Sequence, residues 1–238
     1  MAETGTDRPR TVFITGGSRG IGLEFCRHYK RHGWRVIATC RDPENASELR
    51  ALAADGATEI HALDVADGNQ IAGIADGLAD QPIDLLINNA GIYGERPQTF
   101  EGLSQADWLK VLATNAVAPV LLSRALLPSL QAAPGAKIVM ITSRMGSIAS
   151  NGGDGDNAIY RSSKAALNAA STCLAHELKP KKIAVLLFHP GWVQIDMGTD
   201  AAAIDTVTSV AGITRETERL TIQDTGTFVD YAGKRIPW

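Results

Sequence analysis

Long hydrophobic runs are missing from this 238-residue sequence. With nowhere about 18 apolar residues in a row, no membrane-spanning helix is expected. The polar start, Met1-Ala-Glu-Thr-Gly-Thr-Asp-Arg-Pro-Arg10, lacks the apolar centre of a signal peptide, so a cytoplasmic protein is expected. Charge of one sign is not concentrated either: 23 Lys and Arg are interspersed with 26 Asp and Glu, for a net charge of −3. Without a basic tract to follow a phosphate backbone, nucleic acid is set aside as a partner and a small molecule is expected instead. Cysteine is scarce. Cys26, Cys40 and Cys173 are odd in number, far apart and set in apolar segments, which reads as reduced thiols and not as a disulfide framework. No group of His, Cys and carboxylates has metal-ligand spacing, so no metal is expected. Internal repeats and linkers rich in Pro, Gly or Ser are absent too. What is present is a 45% hydrophobic content, enough for one substantial core, expected over residues 11–238 behind a flexible tail at 1–10.

Short β-branched runs alternate with longer helical patterns. Thr11–Thr15, Arg35–Thr39, Thr58–Leu63, Ile83–Ile87, Lys137–Thr142 and Ile183–Phe188 read as strands, with a short seventh over Gly226–Tyr231. Helical patterns cover Ile21 to His32, about Glu44 to Ala54, Gln70 to Leu78 and Asn157 to Leu178. A long one over about Ser104 to Leu130 is expected to bend near Pro119. Strict alternation with continuous apolar strands predicts a doubly wound α/β domain, a parallel sheet of about seven strands with helices on both faces. Ligands of such sheets sit outside the carboxyl ends of the strands. Two irregular segments follow strands there, Ala149–Asn157 and Asp196 to about Ser209, and a substrate loop is placed at about 196–212.

The first strand enters Thr15-Gly-Gly-Ser-Arg-Gly-Ile-Gly22 and then a helix. Glycines let the backbone turn tightly and approach a pyrophosphate, and a helix start offers N–H groups to it. Gly16, Gly20 and Gly22 are spaced G-x-x-x-G-x-G, one residue longer than the G-x-G-x-x-G fingerprint. The second strand ends Ala38-Thr-Cys-Arg41, with Cys40 where an acid would hold a ribose diol. Arg41, with Arg19 from the turn, suits the 2′-phosphate of NADP. Asp42 keeps NAD(H) open as the lesser choice.

Tyr160 and Lys164 stand four residues apart at the opening of a helix, so both rise from one face. Alone the pair is common by chance. Beside a nucleotide site, a tyrosine hydroxyl can protonate a carbonyl that receives hydride, and a neighbouring ammonium is expected to lower its pKa.

These motifs, with Asp64 after the third strand, Asn88-Asn-Ala-Gly91 after the fourth, Asn115 in the long helix, Ser143 after the fifth and Pro190-Gly191 after the sixth, resemble the short-chain dehydrogenase/reductase family over nearly the whole chain. Cys40-Arg-Asp-Pro-Glu44, Ser143-Arg-Met-Gly-Ser147, His189-Pro-Gly-Trp-Val-Gln194 and Gly233-Lys-Arg-Ile-Pro-Trp238 are similar to its C-factor and Sniffer-like carbonyl reductase branch. The resemblance implies a Rossmann-type fold and an NADP(H)-dependent oxidoreductase acting on a ketone, aldehyde or secondary alcohol. It implies Tyr160 as acid/base, Ser143 on the substrate oxygen, Lys164 on the ribose and Asn115 in a proton relay. Gly16, Ser18, Arg19, Gly20, Ile21 and Arg41 would hold the phosphates, Asp64 and Val65 the adenine, and Asn89, Ala90 and Gly91 the adenosine side. Pro190, Gly191 and Val193 would line the nicotinamide, with Met145, Trp192 and Met197 in an apolar substrate pocket.

Alternatives stand beside several of these. Ser147 rivals Ser143, Asp64 could be a helix cap, and Asn115 could serve only to bend its helix. His189 reads as a strand-end hydrogen-bonding residue. Ile195 replaces the family's threonine. The resemblance also implies a homodimer or homotetramer, and leaves room for an NADP(H)-binding signalling protein of C-factor type whose turnover is dispensable.

Overall fold

Strands built from residues apolar on both sides of the chain lie at the centre of the protein. The computed structural model describes residues 8–79, 81–152, 156–194 and 203–238. Among them, β1 (Thr11–Thr15), β2 (Arg35–Cys40), β3 (Thr58–Ala62), β4 (Leu85–Asn88), β5 (Lys137–Ile141), β6 (Ala184–His189) and β7 (Phe228–Asp230) form one sheet in the order β3-β2-β1-β4-β5-β6-β7. Every pairing is parallel. Side chains alternate between two cores, as the strand period requires. Phe13, in register with Ile37 and Leu86, faces one; Val12, in register with Val36 and Leu85, faces the other.

Helices cover both faces. The Phe13 side is packed by α3 (Gly68–Gly77), by α5 (Ala118–Ala125) and α6 (Leu127–Gln131), and by α7 (Ala158–Leu178), against which α4 (Gln105–Leu112) rests. The Val12 side is packed by α1 (Gly20–Arg31), α2 (Ser47–Ala53) and α8 (Thr206–Arg219). No described helix is long and apolar enough to cross a membrane.

Three expectations change. The bend in the long helix precedes Pro119: a π-helical turn over Ala113–Val117 separates α4 from α5, and Pro119 sits in the first turn of α5, where a missing N–H is not needed. The expected substrate loop ends sooner. From Thr206 onward it is α8, capped by Asp205, whose Oδ1 accepts from Thr208 N at 2.7 Å, while Ile195, Asp196 and Met197 lie outside the described residues. The end of the expected tail is anchored: Arg8 makes a bidentate pair with Asp84 at 2.8 and 3.1 Å, and the Arg10 guanidinium lies 4.1 Å over the Trp34 ring.

Candidate active site

A cavity of about 1040 Å³ opens at the carboxyl ends of the strands. From the β1–α1 turn it is lined by Gly16, Ser18, Arg19, Gly20 and Ile21, from the end of β2 by Cys40 and Arg41, and after β3 by Asp64 and Val65. Asn89, Ala90 and Gly91 follow β4, and Ser143 and Met145 follow β5. Tyr160 and Lys164 of α7 join them, with Pro190, Gly191, Trp192 and Val193 after β6. Asn115 is buried beside the cavity and does not line it.

The glycine turn cannot carry side chains at its tightest points. Gly16 has φ 68°, and a Cβ on Gly22 would lie 2.0 Å from the Gly16 carbonyl oxygen. Asn89 braces the turn, its Nδ2 donating to Thr15 O at 2.9 Å and Gly16 O at 3.2 Å. Among the described residues no side chain caps the start of α1, which leaves its first N–H groups for an anion. This donor set fits a dinucleotide. Arg41 lines the cavity, whereas Asp42 does not; its carboxylate is taken up by Asn45 N at 3.2 Å and Asn45 Nδ2 at 2.6 Å. Asp64 folds its own loop, accepting from Ala66 N at 2.9 Å, and the cap of α3 is Asp67.

Tyr160 and Lys164 project from one face of α7 to the cavity. Ser143 lines it too, its Oγ accepting from Met145 N at 3.1 Å and standing close enough to the phenol to favour the ionised form, whereas Ser147 is buried and bonded to Ser150 Oγ at 2.9 Å. Gly146 lets this segment close on α7, since a Cβ there would lie 2.7 Å from the Lys164 carbonyl carbon. Lys164 Nζ donates to Ile141 O at 2.9 Å and lies 5.8 Å from the Tyr160 ring centroid. Burial pushes the Tyr160 phenol up to about 12 against the opposing pull of Ser143, and pushes Lys164 down to about 8. The expected lowering of the tyrosine by Lys164 is therefore not seen in this arrangement; desolvation dominates and only Ser143 opposes it. Asn115 belongs to the π turn and bends the helix while bonding across it: Oδ1 accepts from Ile92 N, and Nδ2 donates to Ile92 O, each at 2.8 Å, and to Ser163 Oγ at 3.0 Å. Burial, helped by Arg144, holds His189 down to about 4, so it is neutral near neutral pH.

A family model described as short chain dehydrogenase matches residues 10–206. The chain belongs to the short-chain dehydrogenase family. It is 38% identical to C-signal of Myxococcus xanthus over 164 residues, covering 69% of this chain and 98% of that protein. Among solved structures, an NADPH-bound carbonyl reductase from chicken fatty liver superposes with a TM-score of 0.91 at 36% identity, covering 97% of this chain and 100% of that one. The carbonyl reductase Sniffer of D. melanogaster gives a TM-score of 0.91 at 32% identity, with the same coverage. The protein is thus an oxidoreductase of a family that uses nicotinamide cofactors, and its likeness is to the C-factor and Sniffer-like branch.

Sequence reasoning does not single out Ile92, Tyr93, Thr114 or Arg161, all of which line the cavity. Tyr93 stacks on Tyr160 with ring centroids 4.4 Å apart. Its only local signal was its place two residues after the Asn88–Gly91 motif.

Proposed function

We propose that the protein is an NADPH-dependent carbonyl reductase with Tyr160 as its proton donor. One observation carries the reading: Tyr160 and Ser143 share a cavity with a glycine turn and with Arg41, while Asp42, the acid next to Arg41 in sequence, is turned to Asn45. NADPH, when bound, supplies the hydride. Arg41, with Arg19, answers the charge of the 2′-phosphate, and the N–H groups at the start of α1 answer the pyrophosphate. Ser143 donates to the carbonyl oxygen of the substrate and holds it near the phenol. Tyr160 then gives its proton to that oxygen as negative charge develops there. A phenol held up at about 12 stays protonated across the physiological range and so is in the form that donates to a carbonyl oxygen. Lys164, held at about 8, is mostly ammonium near neutral pH; it serves the ribose and returns the proton. Asn115, fixed to Ile92, carries the relay onward.

Met145 and the half-exposed Trp192 support an apolar or aromatic carbonyl substrate. Pairing through the long helices into a homodimer or homotetramer, residence in the cytoplasm, and a single domain over 11–238 complete the reading. A second reading, an NADP(H)-binding signalling protein whose turnover is dispensable, is favoured by the identity to C-signal. The deciding experiment titrates the protein with NADPH and NADH, then follows NADPH consumption over a panel of carbonyls for the native protein and Tyr160→Phe. Preferred NADPH binding and a loss of roughly 10²–10⁴ in turnover are expected. Full turnover by folded Tyr160→Phe refutes the mechanism, and NADPH binding with no turnover on any carbonyl favours signalling.

A further inference from the structure

The first turn of α7, which carries Tyr160, is capped from a distant part of the chain. Asn157 precedes the helix in the left-handed region at φ 64°, and its side chain makes no cap hydrogen bond. Its Oδ1 instead accepts from the Tyr93 hydroxyl at 2.7 Å. The N–H groups at a helix start have no partner inside the helix. Here the Tyr160 N–H donates to Gln98 Oε1 at 3.1 Å, across 62 residues of sequence.

Gln98 is 4% exposed and uses two further groups in the same place. Its Nε2 donates to Tyr93 O at 2.8 Å, and its backbone carbonyl accepts from Asn157 N at 3.3 Å. Asp107 Oδ2 accepts from Glu95 N at 2.9 Å and ties the segment to α4. The Tyr93 ring lies against the Tyr160 ring, 16° from parallel. A glutamine suits this position because its amide offers an acceptor to the helix and a donor to the Tyr93 carbonyl at once.

We propose that Gln98 and Tyr93 are positioning residues for Tyr160: Gln98 fixes the backbone from which the phenol extends, and Tyr93 fixes the plane of its ring. The inference rests on the reading of Tyr160 as the proton donor. Ser143 and Lys164 define only the hydroxyl end of that side chain, and a ring free to swing would sample geometries that cannot reach the substrate oxygen.

Gln98→Leu and Tyr93→Leu are expected to lower kcat by roughly 10–100-fold, while the NADPH Kd and the carbonyl KM stay within about twofold. Gln98→Glu, which keeps an acceptor for the Tyr160 N–H but loses the donor to Tyr93 O, is expected to lie between Gln98→Leu and the native protein. Fluorine NMR of fluorotyrosine-labelled protein reads the ring without a substrate; there are four tyrosines, and Tyr160→Phe assigns the relevant signal. In the native protein that signal is expected to be sharp and shifted by stacking, and in both leucine variants to move toward the free amino acid. A native protein that reduces no carbonyl refutes the reductase reading, and the NMR still tests the clamp. An unmoved Tyr160 signal in folded Gln98→Leu, or loss of NADPH binding in step with kcat, overturns the proposal. Where Gln98→Leu does not fold, Tyr93→Leu and Gln98→Glu decide by the same measurements.

Discussion

Lys164→Met is expected to stabilise the protein while removing its activity. The Lys164 ammonium is 4% exposed, donates to the Ile141 carbonyl, and pairs with no carboxylate among the described residues. Burial lowers its pKa from 10.5 to about 8. An unfolded chain restores the ordinary value, so between about 8 and 10.5 the folded state holds fewer protons, and stability rises with pH across that window. Near pH 7 the folded charge therefore costs about 3 kcal/mol, at about 1.4 kcal/mol per pH unit between the two values. Methionine removes the charge at similar volume and loses one hydrogen bond, about 1 kcal/mol. A net gain of about 2 kcal/mol remains, which for a chain of this length raises Tm by roughly 4–8 °C. By about pH 9.5 the native lysine is mostly neutral when folded, its cost falls to about 1.4 kcal/mol, and the advantage nearly vanishes. Thermal unfolding followed by circular dichroism at the two pH values, without nucleotide, measures both numbers. A variant that melts at or below the native protein near pH 7, or keeps its full advantage near pH 9.5, refutes the reasoning.

Other outcomes follow from the same geometry. Arg41→Ala should weaken NADPH binding by roughly 10–100-fold, the worth of a charge-assisted contact, and leave NADH binding unchanged by fluorescence titration; equal losses for both refute the role given to Arg41. Asn115→Ala removes three hydrogen bonds of a fully buried side chain, two to Ile92 and one to Ser163, and urea unfolding should show a loss of about 2–4 kcal/mol. A loss under about 1 kcal/mol would show that the network reforms without it.

The central strands were legible because they are buried on both faces, so that Val12, Phe13 and Ile14 read as one apolar run although they serve two cores. The site was legible where chemistry demands fixed spacing, as in the glycine turn and in Tyr160 with Lys164. Helix α8 was not. Its buried face includes Ser209, Thr214 and Thr217, and the two threonine hydroxyls donate to carbonyls one turn back, so polar letters fill core positions and hide the period. Gln98 had no local mark either, because its importance comes from groups 5 and 62 residues away. The bend near Asn115 was expected at Pro119, since proline is the familiar helix breaker, while a turn that closes over five residues leaves no signature in composition.

That five-residue turn also sets how the chain can vary in length. In an ordinary helix an inserted residue rotates everything beyond it by about 100°, so insertions and deletions are confined to loops. Between α4 and α5 the extra residue is taken up within Ala113–Val117, and the Ala118 N–H reaches back to Ala113 O to close the gap. A one-residue length difference at this point is therefore a change in where Asn115 points and not in loop size. Deleting one residue from this turn would rotate Asn115 away from Ile92 while leaving the helix on either side intact.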